Sequence, residues 1–460
     1  MTTDTDGPHT GYTGLPAARQ AISSTGLLTD HYELTMVRAA LRSGTAHRRA
    51  VFEVFARHLP NGRRYGVVAG PGRLLDALEQ FRFGDEELAF LERAQIADDP
   101  TLEFLRDYKF RGDIWSYAEG DCYFPGSPIL VVEGTFAEAV ILETLALSIF
   151  NHDCAIASAA SRMVTAANGR PLVEMGSRRT HERAAVAGAR AAYIAGFTTT
   201  SNLRAGYEYG IPTSGTSAHA FTLLNDDERQ AFAAQVDAVG HGTTLLVDTY
   251  DVPAAIRAAV DVAGPDLGAI RIDSGDLATV AREAREQLDS LGAAKTRIVL
   301  TGDLDEFSIA ALTAEPVDGY GVGTSLVTGS GAPTAALVYK LVARSDSETP
   351  DSALTTAALR PVAKRSVGKP SRGGRKWAVR RLDESGHAAV EVVTDYEPTD
   401  LANGRPLLIP LVRAGEAVGR EPVTVARTRH AQAVTELPAY ARQLSRGYPA
   451  IPTVFEPDRD

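Results

Sequence analysis

The sequence predicts an α/β protein whose larger part is an irregular (β/α) barrel, with a mixed α/β domain beside it. Three observations carry this. From Leu172 onward, short apolar runs alternate with loops and helix-length segments, the pattern of repeated βα units. Three of the runs end in, or lead into, turns bearing glycine: Arg271-Ile272-Asp273-Ser274-Gly275-Asp276, Thr301-Gly302-Asp303 and Gly321-Val322-Gly323-Thr324. Barrels place ligands at the C-terminal ends of strands, and glycine lets backbone N–H groups approach phosphate oxygens closely. Finally, 460 residues exceed one ordinary core, so two or three domains are expected. An open doubly wound sheet is the structural alternative.

The elements follow in chain order. Residues 1–26 read as a flexible tail: 1–21 are rich in Thr, Asp and Gly, without the basic-then-apolar order of a signal peptide. Residues 30–41 carry Leu34, Val37 and Leu41 on one helical stripe, with Asp30 as candidate N-cap. Residues 50–56 read as a strand, Asn61-Gly62 as a tight turn, and 74–79 and 85–93 as helices. Short strands flank Phe124-Pro125-Gly126 within 120–133. The segments 135–150 and 155–167 are helical by period, and glutamates interrupt the apolar run 136–150, which is too short to span a bilayer.

Barrel strands are expected at 172–175, 192–197, 244–247, 269–272, 297–300 and 319–322, with helices at 180–191, 226–239, 252–262, 277–290 and 306–312. Residues 345–352 form a polar loop, and 360–376 a basic segment. Residues 377–379 and 389–393 read as extended chain able to rejoin the first domain, and 424–444 as a closing helix interrupted or bounded by Pro438. The domain reading is 27–134 mixed domain, 135–343 barrel, and 344–460 a C-terminal segment partly returning to the first domain.

A net charge of −11 gives no general attraction to nucleic acid or anionic lipid, although local arginines can still dominate a cleft that takes an anion. Cys122 and Cys154 are the only cysteines, which fits a reducing, cytoplasmic compartment.

Candidate chemistry clusters at the strand ends. Arg178 and Arg179, in Glu174-Met175-Gly176-Ser177-Arg178-Arg179, can offer a planar fork to a carboxylate or phosphate; as surface or interdomain salt-bridge residues they need no ligand. His219, among the small residues of Gly215-Thr216-Ser217-Ala218-His219, can be a base, a metal ligand, a phosphoryl acceptor or a structural hydrogen-bonding group. His152 and Cys154 lack the second pair that a zinc site needs. Asp273, Asp276, Asp303 and Asp305 would repel a phosphate unless arginines or magnesium compensate, and any of them can equally cap a helix. The basic stretch 364–376 is either a solvated loop or a lid over phosphates, and it lacks the aromatic interleaving of a nucleic-acid surface.

Taken together, Leu27-Leu28-Thr29-Asp30-His31-Tyr32-Glu33-Leu34-Thr35-Met36, Glu174-Met175-Gly176-Ser177-Arg178-Arg179, Thr198-Thr199-Thr200-Ser201-Asn202, Gly215-Thr216-Ser217-Ala218-His219 and Arg271-Ile272-Asp273-Ser274-Gly275-Asp276 resemble, in order, the motifs of the nicotinate phosphoribosyltransferase family. The resemblance implies an irregular α/β barrel of the type II phosphoribosyltransferase kind, beside a mixed α/β domain built from both chain ends. It implies ATP-coupled joining of nicotinate to phosphoribosyl diphosphate in NAD salvage, through a phosphohistidine at His219 and with magnesium. It also implies a homodimer with shared active sites.

By the same resemblance, Tyr32 of one subunit covers the pyridine ring in the other. Arg178 faces the nicotinate carboxylate, Arg179 assists the anionic substrates, and Asp273 holds ribose hydroxyls. Gly302, Gly323 and Thr324 receive the 5′-phosphate. Ser201, Asn202, Arg271, Ser274, Gly275 and Asp303 complete the substrate-binding set, with Asp273 and Asp303 as candidate magnesium contacts. Met175 stands where many relatives carry an aromatic residue, and its sulfur can still pack against a ring.

Overall fold

The computed structural model describes residues 24–346, 358–364, 371–399, 401 and 403–456. The expected tail up to residue 23, most of the polar loop at 345–352 and residues 365–370 of the basic segment lie outside them.

The helix His31–Ser43 starts after Asp30, whose side chain makes no capping bond, and stops at Gly44, whose φ of 78° lets its N–H reach the Ala40 and Leu41 carbonyls. Its apolar stripe packs on an antiparallel sheet centred on Arg49–Ala56 and Leu130–Thr135. The strand order is 360–361, Leu337–Arg344, Arg49–Ala56, Leu130–Thr135, Asp113–Tyr117, Leu408–Arg413 and 416–417. Strands from late in the chain thus flank strands from its beginning. A second sheet joins Trp377–Leu382 and Ala388–Thr394 to 404–406 and Thr453–Glu456.

The barrel strands are β1 (Leu172–Glu174), β2 (Thr199–Thr200), β3 (Thr244–Leu246), β4 (Ala269–Ile272), β5 (Arg297–Leu300) and β6 (Gly319–Val322). All pairings are parallel, in the order β2-β1-β6-β5-β4-β3. Read cyclically, that is a barrel in chain order opened at one seam, between β2 and β3. The curved half-barrel is the irregular barrel expected. A lone bridge from Thr200 to Thr213 starts the chain across the seam.

The expected strand at 192–197 is corrected: the helix Glu182–Ile194 runs through its first half, and β2 begins only at Thr199. Ala189, Ala191, Ala192 and Ile194 are good or adequate helix formers that bury a continuous stripe. Gly196, at φ 119°, then turns the chain toward β2.

The two helical segments expected at 135–150 and 155–167 are corrected to Phe136–Val140 and one 25-residue helix, Glu143–Ala167. Leu145, Ile149 and Phe150 of this helix enter the core under the antiparallel sheet, and Ile156, Ala160 and Met163 enter the barrel core. The stretch Phe136–Ala167 is long and apolar enough to cross a membrane, but 67% of its apolar window is buried inside the fold. It works here as the shared wall of two cores.

The closing helix is Val423–Glu436, which packs against Glu182–Ile194; Pro438 then precedes a single 3₁₀ turn.

Candidate functional site

The C-terminal ends of the barrel strands bring distant residues together. Leu246 of β3 pairs with Arg271 of β4, which sets the two following carboxylates, Asp248 and Asp273, side by side. One oxygen of Asp248 accepts the backbone N–H of Asp273 at 2.7 Å and the Ser274 hydroxyl at 2.8 Å. Its other oxygen is buried without a hydrogen-bond partner among the described residues. Asp273 in turn accepts the Thr301 hydroxyl at 2.5 Å, which ties β4 to β5.

His219 opens a short helix, His219–Leu224, on the segment that crosses the seam. Its Nδ1 lies 3.1 Å from the Thr249 hydroxyl and its Nε2 3.9 Å from Asp248. Arg271 anchors the same segment by donating to the Thr216 hydroxyl at 2.5 Å and the Ser217 carbonyl at 3.4 Å. Burial pulls the Arg271 guanidinium below its ordinary range and Arg178 adds repulsion, while Asp273 and Asp248 oppose both. Arg178, Arg271, Asp248, Asp273 and His219 therefore share one electrostatic neighbourhood.

Arg178 and Arg179 are exposed, and neither makes an ion pair or side-chain hydrogen bond among the described residues. Met175 and Thr301 both close over Gly321, where a Cβ would fall 2.7 Å from the Met175 sulfur. Asn202 caps the helix Leu203–Tyr209 and donates to Ser177 at 2.9 Å, while Ser201 is exposed beside it. Gly275 and Gly302 have φ of 88° and 109°, and Asp303 holds φ 48°. Among the described residues, the N–H groups of Gly302, Asp303, Gly323 and Thr324 donate to no backbone carbonyl in the turns and loops. Asp276 and Asp305 are helix caps.

Tyr32 lies apart from this cluster. It sits beside Glu143, and burial with that carboxylate pushes its phenol up to about 12. No hydrogen bond, ion pair or ring contact among the described residues joins it to Arg178, Asp273 or His219. The basic segment is partly structural: Lys376 forms a buried pair with Glu53 at 2.7 Å, and Arg375 pairs with Glu133 and stacks on Trp377.

Asp248 and Thr249 were missed by the sequence reading, although Leu245-Leu246-Val247-Asp248 has the strand-then-aspartate form that drew attention to Asp273. A groove of about 600 Å³ lies behind Gly215, Thr216 and Ser217, against Phe221 and Gln235. Its lining is uncharged, unlike the strand-end cluster. Hard oxygens at Asp248 and Asp273 suit magnesium, which takes one or two carboxylates and completes its shell with water and phosphate oxygens. No group of three or more His, Cys, Asp or Glu forms a metal cage among the described residues.

Residues 27–151 match the nicotinate phosphoribosyltransferase (NAPRTase) N-terminal domain. The Mycobacterium tuberculosis protein named nicotinate phosphoribosyltransferase pncB1 is 60% identical over 438 residues, covering 93% of this chain and 94% of its own length. The Bacillus subtilis nicotinate phosphoribosyltransferase is 37% identical over 374 residues, covering 79% of this chain and 74% of its own. Among solved structures, human nicotinic acid phosphoribosyltransferase superposes with a TM-score of 0.79 at 24% identity, over 93% of this chain and 97% of that one. That likeness bears on the fold alone. On the strength of the sequence relatives, this chain is an enzyme of the nicotinate phosphoribosyltransferase family.

Proposed function

We propose that this enzyme joins nicotinate to the phosphoribosyl group of phosphoribosyl diphosphate, releasing diphosphate, in NAD salvage. The observation that carries the reading is the meeting of Arg178, Arg271, Asp248, Asp273 and His219 at the strand ends, in a chain 60% identical to a relative of that name.

In this reaction the pyridine nitrogen of nicotinate attacks C1′ of the ribose as the bond from C1′ to diphosphate breaks, and the transition state has oxocarbenium character. The attacking nitrogen carries no proton, so no general base is needed, and orientation dominates. Arg178 binds the nicotinate carboxylate and Arg179 adds positive charge for the anionic substrates. Asp273 accepts from the ribose hydroxyls, while the free N–H groups of Gly302, Gly323 and Thr324 receive the 5′-phosphate. Ser201, Asn202, Ser274, Gly275 and Asp303 shape the walls. Asp273 and Asp248 would hold magnesium, which would supply charge neutralisation for the departing diphosphate.

His219 is then free to take the γ-phosphoryl group of ATP, releasing ADP, and to pass it to water. The added charge beside the diphosphate site biases substrate affinity and product release. In this reading the enzyme is a cytoplasmic homodimer, with Tyr32 of each subunit covering the pyridine ring in the other. Free, buried Cys122 and Cys154 accord with a reducing compartment.

Purified protein given nicotinate, phosphoribosyl diphosphate, ATP and magnesium should form nicotinate mononucleotide and diphosphate. Turnover of nicotinamide with none of nicotinate would overturn the assignment.

A further inference from the structure

Glu174, the last residue of β1, is fully buried and makes no ion pair among the described residues. One carboxylate oxygen accepts the backbone N–H of Gly176 at 2.5 Å, and the other accepts the Thr200 hydroxyl at 2.5 Å. Its own carbonyl accepts the N–H of Ser201 at 2.8 Å. The Thr200 hydroxyl in turn accepts the Asn202 N–H at 2.9 Å, and the Asn202 side chain reaches Ser177 at 2.9 Å. A single side chain thus knots two strand-end loops, 175–179 and 200–202.

Burying a carboxylate without a cation is unfavourable, and burial does push this carboxyl upward against its two hydrogen bonds. An apolar residue would avoid that penalty, but it could accept neither donor. Gly176 is confined from the other side as well, since a Cβ there would lie 2.2 Å from Val327. The turn that presents Arg178 and Arg179 is therefore clamped between Val327 and the Glu174 carboxylate.

We infer that Glu174 is a positioning residue for nicotinate recognition: acting through Gly176 and Thr200, it sets the direction in which Arg178 meets the pyridine carboxylate. This rests on the assignment of Arg178 to that carboxylate. The carboxylates Asp248 and Asp273 on the diphosphate side hang on β3 and β4 and bond to neither knotted loop among the described residues, whereas the Gly323 turn follows β6, the neighbour of β1.

The test measures KM for nicotinate and for phosphoribosyl diphosphate in the full-length enzyme carrying Glu174→Gln, Thr200→Val, Thr200→Ser or Arg178→Ala. Thr200→Val is nearly isosteric and keeps the experiment decisive if Glu174→Gln does not fold. Glu174→Gln and Thr200→Val should each raise the nicotinate KM about tenfold and move the other KM less than about twofold, as expected for a lost hydrogen bond at one subsite. Thr200→Ser, which keeps the hydroxyl, should stay near wild type. Equal rises in both KM values, or an unchanged nicotinate KM in folded Thr200→Val, overturn the role of Glu174 while a selective Arg178→Ala leaves the arginine assignment standing. A non-selective Arg178→Ala overturns both.

Discussion

Asp248 turns a buried carboxylate oxygen, without a hydrogen bond among the described residues, toward His219 Nε2 at 3.9 Å. A carboxylate opposite Nε2 favours the tautomer that carries the proton there and leaves the lone pair on Nδ1, beside the Thr249 hydroxyl. The other oxygen of Asp248 holds Asp273 and Ser274, so this one residue links the histidine to Asp273.

Asp248→Asn keeps an acceptor for the Asp273 N–H but removes the charge facing His219. Labelling with γ-phosphate-labelled ATP should give an acid-labile, base-stable phosphoprotein in wild type and none in His219→Ala. Asp248→Asn should slow labelling by roughly tenfold or more, the usual scale for a misoriented proton-transfer partner. His219→Ala should also lose ATP stimulation while retaining slow uncoupled synthesis. Phosphate mapped to another residue, with coupling intact in His219→Ala, would remove the histidine from this role.

Arg178→Ala should weaken nicotinate binding far more than phosphoribosyl diphosphate binding. Truncating one partner of a desolvated charge pair costs about 2–5 kcal/mol, part of it from the stranded anion. Titration calorimetry with each substrate decides the matter, because equal losses would reassign Arg178 to folding or to the diphosphate.

No hydrogen bond, ion pair or ring contact among the described residues joins Tyr32 to the strand-end cluster, and the residue is 47% exposed. If it completes the site of a second copy, mixing inactive Tyr32→Ala and inactive His219→Ala chains should give heterodimers with one intact composite site and recovered ATP-coupled activity. Verified heterodimers that stay inactive would place both residues in the site of a single subunit.

His430 gives a pH-dependent stability prediction. It contacts the Gly120 carbonyl through Nδ1 and the Ser161 hydroxyl through Nε2, at 3.0 Å each. Burial first of all lowers its pKa from 6.5 to about 4. The native state thus holds this ring neutral, whereas the unfolded chain protonates it near 6.5. Its contribution is complete above that pH and is lost as pH falls toward 4, by up to about 3 kcal/mol. Urea unfolding at pH 7 and pH 4.5 should show wild type losing more stability on acidification than His430→Gln. Parallel losses would assign the acid sensitivity to other groups.

Strands β4, β5 and β6 and the helix Leu277–Ser290 were legible in the sequence to the residue. Each is a local matter: a short apolar run, a turn bearing glycine or aspartate, and a cap such as Asp276 bonding to Thr279. The run 192–197 failed the same test because an alanine-rich apolar stretch has no period of its own, and its helix is decided by the stripe it buries. The family motifs, too, were readable as ordered strings. Asp248 ends a strand-then-aspartate run like that of Asp273, but nothing local marks it as a neighbour of His219. Only the pairing of β3 with β4 sets it against Asp273, and only the chain crossing the open seam brings His219 to it. Likewise, Leu337–Arg344 and Leu408–Arg413 join Arg49–Ala56 and Asp113–Tyr117 across most of the chain. Periodicity and capping act over a few residues and are written in the sequence. The choice of strand partner depends on which buried faces fit together, and that choice assembled the site.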